Sequence, residues 1–205
     1  MEIKRPLRDA RQRLLWELAR NGQSTAFRQL YRELSGPVLR YLSSKLRSQQ
    51  EAEDVASEVF RKLIGNMDRF EPSRGSLQGW VMTMTRHALI DHVRRARPTE
   101  TLESVADMLA DAQPDSLSRI IEDEEARFAH GILRRYPAEV QEMFSLHFAH
   151  GLAYRDIASA MGMSEAAVKQ RFARTLRELR KELGALTYAQ KAATPPGVSE
   201  SPRTT

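Results

Sequence analysis

The stretch from 154 to 174 constrains this chain most, because its small and apolar residues follow the spacing of two helices joined by a sharp turn. Ala158, Gly162 and Val168 stand at offsets of four and ten residues inside an apolar pattern of helical period. Gly162 supplies the backbone freedom that a sharp turn needs, and Ser164 can cap the helix that follows. The spacing predicts a helix-turn-helix, in which the small Ala158 lets the two helices cross closely.

The second helix of this motif has an apolar face and a basic face. Its apolar residues recur every three or four positions and predict one buried stripe, formed by Val168, Phe172, Leu176, Leu179 and Leu183. The opposite face carries polar and basic residues, namely Gln170, Arg174, Arg177 and Lys181, flanked by Lys169 and Arg171. Such a helix suits the major groove of DNA, and a glutamine amide can pair with adenine. The alternative is an amphipathic helix whose charged face is only solvated.

Charge is distributed unevenly along the chain, whose formal net charge is +5. Residues 1–97 hold 19 Lys and Arg against 11 Asp and Glu, residues 98–135 hold 4 against 9, and residues 136–205 hold 9 against 7. Two basic blocks therefore flank an acidic segment. This pattern indicates two surfaces that meet a polyanion, joined by a connector that avoids it.

Composition excludes several classes of protein. The 205 residues are 41% hydrophobic, which suffices for two small domains, and the absence of cysteine rules out disulfides, thiolate metal sites and cysteine nucleophiles. A reducing cytoplasm is the expected compartment, since no stretch resembles a signal peptide or a membrane span. The histidines lack organised carboxylate partners, and no phosphate-binding glycine loop occurs. We therefore expect no enzyme activity, no metal and no cofactor.

The apolar periodicity predicts an all-α fold throughout. Gly36 and Pro37 predict a break or bend, Pro98 ends a long helix, and the following acidic segment has the composition of a tether. The expected helices cover residues 14–21, 24–34, 38–46, 50–67, 77–97, 116–135 and 137–149, followed by the helix-turn-helix.

Five features occur in order along residues 14–183: Ala26-Phe27 with Leu30-Tyr31, Glu51-Ala52-Glu53-Asp54-Val55 with Glu58 and Phe60, Gly75-Ser76 with Trp80, residues 88–95, and the helix-turn-helix. With these features, residues 14–183 resemble a bacterial RNA polymerase sigma factor of the sigma-70 type, in its small extracytoplasmic-function (ECF) group.

The resemblance implies two small helical domains on a flexible linker. Residues 14–97 correspond to sigma region 2, which binds core polymerase and recognises and melts the −10 element. Residues 116–186 correspond to sigma region 4, which recognises the −35 element. The remaining parts are an amino-terminal extension at 1–13, a flexible acidic linker at 98–115 and a disordered tail at 187–205.

The resemblance also assigns residues to each contact. The helix that begins at Glu51 corresponds to the segment that meets the coiled coil of the polymerase β′ subunit, with Val55, Val59 and Leu63 turned inward. Its candidate polymerase contacts are Asp54, Ser57, Glu58 and Arg61. The candidate −10 contacts are Phe70, Ser73, Arg74, Trp80, Arg86, His87, Arg94 and Arg95. The candidate −35 contacts are Ser164, Ala166, Ala167, Lys169, Gln170, Arg171, Arg174 and Arg177.

Two details of these assignments can be compared with a structure. Phe70 and Trp80 either hold an unstacked base or belong to the core. Ala153 stands where relatives often have a capping Ser or Thr, so the first helix of the motif is expected to lack a side-chain cap at its start.

The expected function is that of a sigma factor, whose partners are core RNA polymerase through its β′ and β subunits, and promoter DNA. Residues before Leu14 are too few for the inhibitory domain of housekeeping sigma factors, so an anti-sigma protein is the expected regulator. No membrane insertion or small-molecule substrate is expected. The alternatives are a free-standing helix-turn-helix regulator, which needs no polymerase-binding helix, and an antagonist or adaptor that makes no DNA contact.

Overall fold

The computed structural model describes the backbone of residues 4–96 and 131–193, and the side chains of residues 5–96 and 131–183. These two stretches are helical and contain no strand, which confirms the all-α prediction. The longer helices are α1 (Lys4–Arg20), α2 (Ser24–Ser43), α3 (Gln49–Gly65), α4 (Leu77–Ala96), α5 (Ala138–Phe148), α6 (Tyr154–Met161) and α7 (Glu165–Ala193).

Helices α1 to α4 form an amino-terminal unit around one apolar core. Trp16, Leu30, Tyr41 and Leu89 are each at most 1% exposed within it. Helix α1 begins at Lys4, well before the predicted start at residue 14. The apolar pattern missed these first turns because the face that continues the Trp16 side toward the amino terminus carries polar groups, including Gln12, which is 1% exposed.

The break or bend predicted at Gly36 and Pro37 does not end the helix, and α2 runs through both residues. A proline inside a helix removes one backbone hydrogen bond. Here Leu34 and Val38, on either side of the pair, are each 1% exposed in the core. Burial of this apolar face holds the helix continuous, which local propensity alone would not predict.

Helix α3 starts at a capping box. The Ser48 hydroxyl accepts a hydrogen bond from the Glu51 backbone N–H at 3.1 Å, and the Glu51 carboxylate accepts one from the Ser48 N–H at 3.3 Å. Val55, Val59 and Leu63 are buried along its inner face, as predicted. The opposite face of α3 is therefore directed outward.

Helices α5 to α7 form the carboxyl-terminal unit and contain the predicted helix-turn-helix. Gly162 adopts a left-handed conformation with φ of 67°, and the Ser164 hydroxyl accepts a hydrogen bond from the Ala167 N–H at 3.1 Å. Ala153 precedes α6 without a side-chain cap, as expected. Phe172 of α7 is 1% exposed and stacks on Phe144 with ring centroids 4.5 Å apart.

Two predicted boundaries remain, that of the carboxyl-terminal tail and that of the linker. Helix α7 continues to Ala193, so the prediction of a disordered tail from residue 187 is wrong for its first seven residues. Three of these seven residues are alanine, which has the highest helix propensity. The predicted linker at 98–115 and the first part of the predicted second domain lie outside the described residues.

Across the two stretches that the structure describes, no helix combines the length and the apolar character needed to cross a lipid bilayer.

Candidate nucleic-acid and polymerase interfaces

The outer face of α3 carries the residues predicted to meet the polymerase. Asp54, Ser57 and Arg61 are exposed, and Glu58 is half-buried. The Ser57 hydroxyl donates to the Glu53 carbonyl at 2.8 Å, so it is engaged with its own helix. Because buried residues on the inner face fix the orientation of α3, the side chains of the outer face stay directed outward.

Glu58 links this face to the end of α4. Its carboxylate lies 2.9 Å from the Lys62 ammonium and 3.2 Å from the Arg95 guanidinium. The hydrogen bond from Lys62 lowers the pKa of Glu58 most, and Arg95 contributes in the same direction. Glu58 therefore remains ionised but is already paired, whereas Asp54 makes no ion pair with any residue that the structure describes.

Three aromatic rings from distant parts of the amino-terminal unit meet beneath the loop at residues 70–76. Trp16 lies edge-on to Phe70 and Trp80, with ring centroids 5.7 Å and 5.8 Å apart, and Phe70 lies 5.4 Å from Trp80. Phe70 is 6% exposed, whereas Trp80 is half-buried. In this arrangement Phe70 is part of the core, and Trp80 is the more exposed of the two residues.

An open pocket of about 280 Å³ lies beside this aromatic cluster. The loop and α4 form most of its wall, and α6 of the carboxyl-terminal unit closes one side with Asp156 and Ser159. The residues that line it from the amino-terminal unit include Arg69, Phe70, Arg74, Trp80 and Thr83. The pocket is thus bounded by both helical units.

The predicted −10 residues on α4 and its loop differ in accessibility. Five of them are exposed, namely Ser73, Arg74, His87, Arg94 and Arg95. The Arg74 guanidinium lies 2.7 Å from the Glu71 carboxylate. Because this ion pair is at the surface and therefore weak, Arg74 can leave Glu71 for another anion at little cost.

Arg86, by contrast, is held between the two helical units. Its guanidinium contacts both carboxylate oxygens of Glu142 on α5, at 3.0 Å and 3.4 Å, and the Tyr41 hydroxyl donates to the same carboxylate at 2.6 Å. Burial opposes the charge of Arg86, but Glu142 raises its pKa above the usual value. Burial and then Glu142 raise the pKa of Tyr41 well above its usual value. This hydroxyl therefore stays protonated and acts as a donor.

The start of α4 makes a second set of contacts with the carboxyl-terminal unit. The carboxylate of Asp156, which is 5% exposed, accepts hydrogen bonds from the Ser76 N–H at 2.9 Å and the Ser76 hydroxyl at 2.7 Å. The Gln78 amide donates to the His150 carbonyl at 2.6 Å. Sequence reasoning missed these residues, because an acidic residue on a short amphipathic helix gives no sign of its distant partner.

On α7 the predicted −35 residues lie mainly on the solvent side. Six of them are exposed, namely Ser164, Ala166, Lys169, Gln170, Arg174 and Arg177. The other two, Ala167 and Arg171, are half-buried. Lys169 pairs with Glu165, Arg171 pairs with Glu139 of α5, and Arg174 pairs with Glu178 at 3.0 Å. Because these pairs are largely solvated, their cations can exchange to phosphate at little cost. Seven of the eight residues thus lie on α7, and Ser164 immediately precedes it as the residue that caps its first turn.

Among the residues that the structure describes, no group of three or more His, Asp or Glu side chains is arranged to hold a metal ion.

His150 places a buried titratable ring at the junction of the two units. It is 3% exposed, and its ring lies edge-on to Tyr41 with centroids 5.7 Å apart. Neither ring nitrogen has a hydrogen-bond partner within the described part of the chain. Burial, followed by the charges of Arg40 and Lys45, lowers the pKa of His150 to about 4.

We expect this histidine to weaken the native state in acid. In the unfolded chain the pKa of His150 returns to about 6.5, so above that pH the ring is neutral in both states and does not change the free energy of unfolding. Below that pH the unfolded state binds a proton that the folded state does not, so stability falls as the pH drops toward the folded pKa of about 4. Between about pH 7.5 and about pH 5 the His150 contribution to the free energy of unfolding should fall by about 2 kcal/mol. Urea denaturation of the parent and of His150→Leu measures this difference, with exposed His87→Leu as the control. Equal pH dependence in all three proteins would contradict the expectation.

Two family models match this chain. The model described as Sigma-70 region 2 matches residues 30–99, and the model described as Sigma-70, region 4 matches residues 131–179. Together they span more than half of the sequence, and they include α3, α4 and the helix-turn-helix.

Named relatives and a solved structure agree with these matches. The ECF RNA polymerase sigma factor BldN of Streptomyces coelicolor is 29% identical over 186 residues, which cover 88% of this chain and 70% of the relative. The ECF RNA polymerase sigma factor SigK of Mycolicibacterium vanbaalenii is 26% identical over 161 residues, covering 78% and 82%. The structure of CnrH in complex with the cytosolic domain of CnrY is 19% identical, covers 85% of this chain and 98% of that chain, and shows a similar fold with a TM-score of 0.55. The chain belongs to the sigma-70 family of bacterial RNA polymerase sigma factors, in its extracytoplasmic-function group.

Proposed function

We propose that this protein binds core RNA polymerase and directs it to promoters that carry matching −10 and −35 elements. The observation that carries the proposal is the presence, in one chain, of a cationic helix-turn-helix surface on α7 and an outward acidic surface on α3. A free-standing regulator needs only the first of these. The chemistry of RNA synthesis would belong to the polymerase, with which this protein would act in the cytoplasm.

Recognition of the −35 element is assigned to α7. A recognition helix places its first turns in the major groove, where side chains reach base edges and phosphates. The exposed amide of Gln170 is suited to pairing with adenine, and the surrounding cations are suited to phosphate. The buried stripe that contains Val168 and Phe172 fixes which side of the helix faces the DNA.

Recognition and melting of the −10 element are assigned to the loop at 70–76 and to α4. An unstacked base needs an aromatic surface, and a separated strand needs cations along its backbone. Trp80 is half-buried and lines the pocket, while Arg74, Arg94 and Arg95 supply exposed cations. Phe70, which is buried against Trp16, would support Trp80 rather than contact the base directly.

Binding of core polymerase is assigned to the outer face of α3, formed by Asp54, Ser57, Glu58 and Arg61, with the β′ coiled coil as the expected contact and the β subunit as a further partner. Exposed charges at such a surface favour partner choice and fast association. We also propose an anti-sigma protein as a partner, in keeping with the group to which the chain belongs.

Reconstitution tests the proposed function. The purified chain is mixed with core RNA polymerase and genomic DNA, and the 5′ ends of the transcripts are sequenced. We expect new start sites that share a pair of upstream motifs. Random start sites, or no association with the polymerase, would exclude a promoter-specificity role, and tight sequence-specific DNA binding by the chain alone would favour a free-standing regulator.

Replacing Arg174 by Ala is expected to reduce transcription from the cognate promoter about tenfold, because one phosphate or base contact on the recognition helix is lost. Binding to core polymerase should not change. Arg180→Ala, an exposed change farther along the same helix, is the control and should leave transcription close to that of the parent. If Arg174→Ala and Arg180→Ala transcribe equally well, α7 does not recognise the promoter as proposed.

A further inference from the structure

One face of α1 lies along the start of the loop at 70–76. The Arg13 guanidinium donates a hydrogen bond to the Pro72 carbonyl at 3.2 Å. The Arg20 guanidinium, about two turns farther along α1, donates to the Asp68 carboxylate at 3.2 Å. Two arginines of one helix thus contact the same short segment of chain.

Trp16 lies between these arginines on the same face of α1, since residues three and four apart are neighbours on a helix. Its indole is fully buried and packs edge-on against Phe70, with ring centroids 5.7 Å apart. In the sequence, Phe70 stands midway between the two residues that the arginines contact. The three contacts therefore follow one register, in which the segment passes antiparallel to α1.

The loop has a second support, from α6. The Arg155 guanidinium donates to the Ser73 carbonyl at 3.2 Å. That contact belongs to the carboxyl-terminal unit, whereas α1 and the loop belong to the same unit. Helix α1 is therefore the support that stays with the loop wherever the carboxyl-terminal unit lies.

We propose that Arg13 and Arg20 are positioning residues for the −10 element, which hold the loop at 70–76 over Trp16 so that the pocket beside Trp80 keeps the shape that receives an unstacked base. The inference rests on the proposed function, since it takes this loop as part of the −10 surface. It assigns a role to α1, which ends before residue 30, where the family match to region 2 begins.

Ordering the loop before DNA arrives favours binding, because its conformational entropy is then lost on folding rather than on binding. Contacts behind a binding site also keep its side chains close to the productive geometry. Each arginine contact is individually weak, since the Asp68 side chain is 92% exposed and Arg13 is exposed as well. Weak contacts are sufficient here, because a loop opens locally at a much lower free energy than the core.

The two tryptophans of the chain allow the loop to be observed directly. Both belong to the aromatic cluster with Phe70, so incorporated fluorotryptophan gives two fluorine signals that report on this site. Fluorine NMR saturation transfer measures the population in which Phe70 has left the cluster. In the free chain, Arg13→Ala combined with Arg20→Ala should raise the ratio of released to ordered loop about tenfold, because each lost surface contact contributes about threefold.

Arg11→Ala combined with Arg28→Ala is the matched control, because it removes the same charge from positions outside the contact with the loop. Arg11 lies on α1 but pairs with Glu33 of α2 at 2.6 Å, and Arg28 is exposed on α2. This variant should keep the ratio of released to ordered loop within about twofold of the parent's.

A charge exchange tests whether Arg20 acts through Asp68. Arg20→Asp should release the loop more than Arg20→Ala does, because two carboxylates then face each other. Adding Asp68→Arg should return the released population close to the parent's value. An effect of position 20 on α1 alone would not be repaired by a change 48 positions away.

DNA binding connects the loop to the proposed function. Holoenzymes that contain the parent or either double-alanine variant are titrated with a fluorescent single strand that carries the −10 sequence found by reconstitution. The apparent affinity should fall in proportion to the ordered fraction, so it falls about twofold if the released population rises from about one-tenth to about one-half. An oligothymidylate of the same length should bind both double variants equally, since both have lost two positive charges.

The outcomes separate this inference from the proposed function. If loss of Arg13 and Arg20 leaves the fluorine signals unchanged, or if the control variant changes them as much, the arginines do not hold the loop. If the loop is released but the −10 strand binds as tightly as it does to the control holoenzyme, while the parent initiates at defined sites, the arginines do not position it for base capture. Absence of defined start sites for the parent would instead overturn the proposed function, and the fluorine measurement, which involves no DNA, would still decide whether α1 holds the loop.

Discussion

Replacing Trp16 by Ala is expected to lower the free energy of unfolding of the amino-terminal unit by about 3–5 kcal/mol. The indole is fully buried and contacts both Phe70 and Trp80, so its loss leaves a large cavity beneath the loop at 70–76. Its ring N–H has no hydrogen-bond partner among the described protein groups, so the cost is one of packing. A loss of this size is a substantial part of the stability of a small domain.

Urea denaturation followed by circular dichroism measures this effect. Leu14→Ala on the same helix is the matched control, because Leu14 is 62% exposed and its truncation should change stability by less than about 0.5 kcal/mol. Since Trp16 also supports the ring edge of Trp80, we expect promoter opening by the holoenzyme to weaken at temperatures where the variant is still folded. Equal stability of the two variants would show that the aromatic cluster does not hold the loop.

Replacing Asp54 by Arg is expected to weaken binding to core polymerase about 100-fold, because reversing one charge in a complementary interface costs several kcal/mol. Asp54 is exposed on α3 and makes no ion pair with the described residues, so the fold should be unaffected. Transcription from the cognate promoter should fall in parallel at polymerase concentrations below saturation. Fluorescence anisotropy of labelled protein titrated with core polymerase gives the affinity.

Glu17→Arg is the control for this reversal. It changes the net charge by the same amount on α1, where Glu17 is exposed and pairs only at the surface with Arg20. Its affinity for core polymerase should stay within about threefold of the parent's. If Asp54→Arg and Glu17→Arg behave alike, the acidic face of α3 is not the polymerase-binding surface. Arg174→Ala provides the reverse pattern, with polymerase binding kept and promoter recognition lost.

The features that could be predicted from the sequence are those with a local physical cause. The turn of the helix-turn-helix follows from Gly162, which adopts the left-handed conformation, and its second helix begins at the Ser164 cap. The buried stripe of α7 follows from apolar residues at helical spacing, because residues three and four apart share one face. The individual polymerase and DNA contacts stay predictions, since they depend on molecules outside the chain.

Local patterns were least informative where packing overruled propensity. Pro37 suggested an interruption, but burial of Leu34 and Val38 keeps α2 continuous. The first turns of α1 gave no apolar signal, because a polar residue, Gln12, occupies the buried face. In both cases the deciding free energy comes from contacts with other helices rather than from neighbours along the chain.

The sequence by itself determined the helical class, the apolar faces of the helices and the helix-turn-helix, because these depend on periodicity and on conformational preferences of single residues. Only the tertiary structure decided that Asp156 meets Ser76 across 80 residues and that Glu142 meets Arg86 across 56. A polar contact between distant residues has no period and no propensity, so it exists only once the buried faces have brought α4, α5 and α6 together.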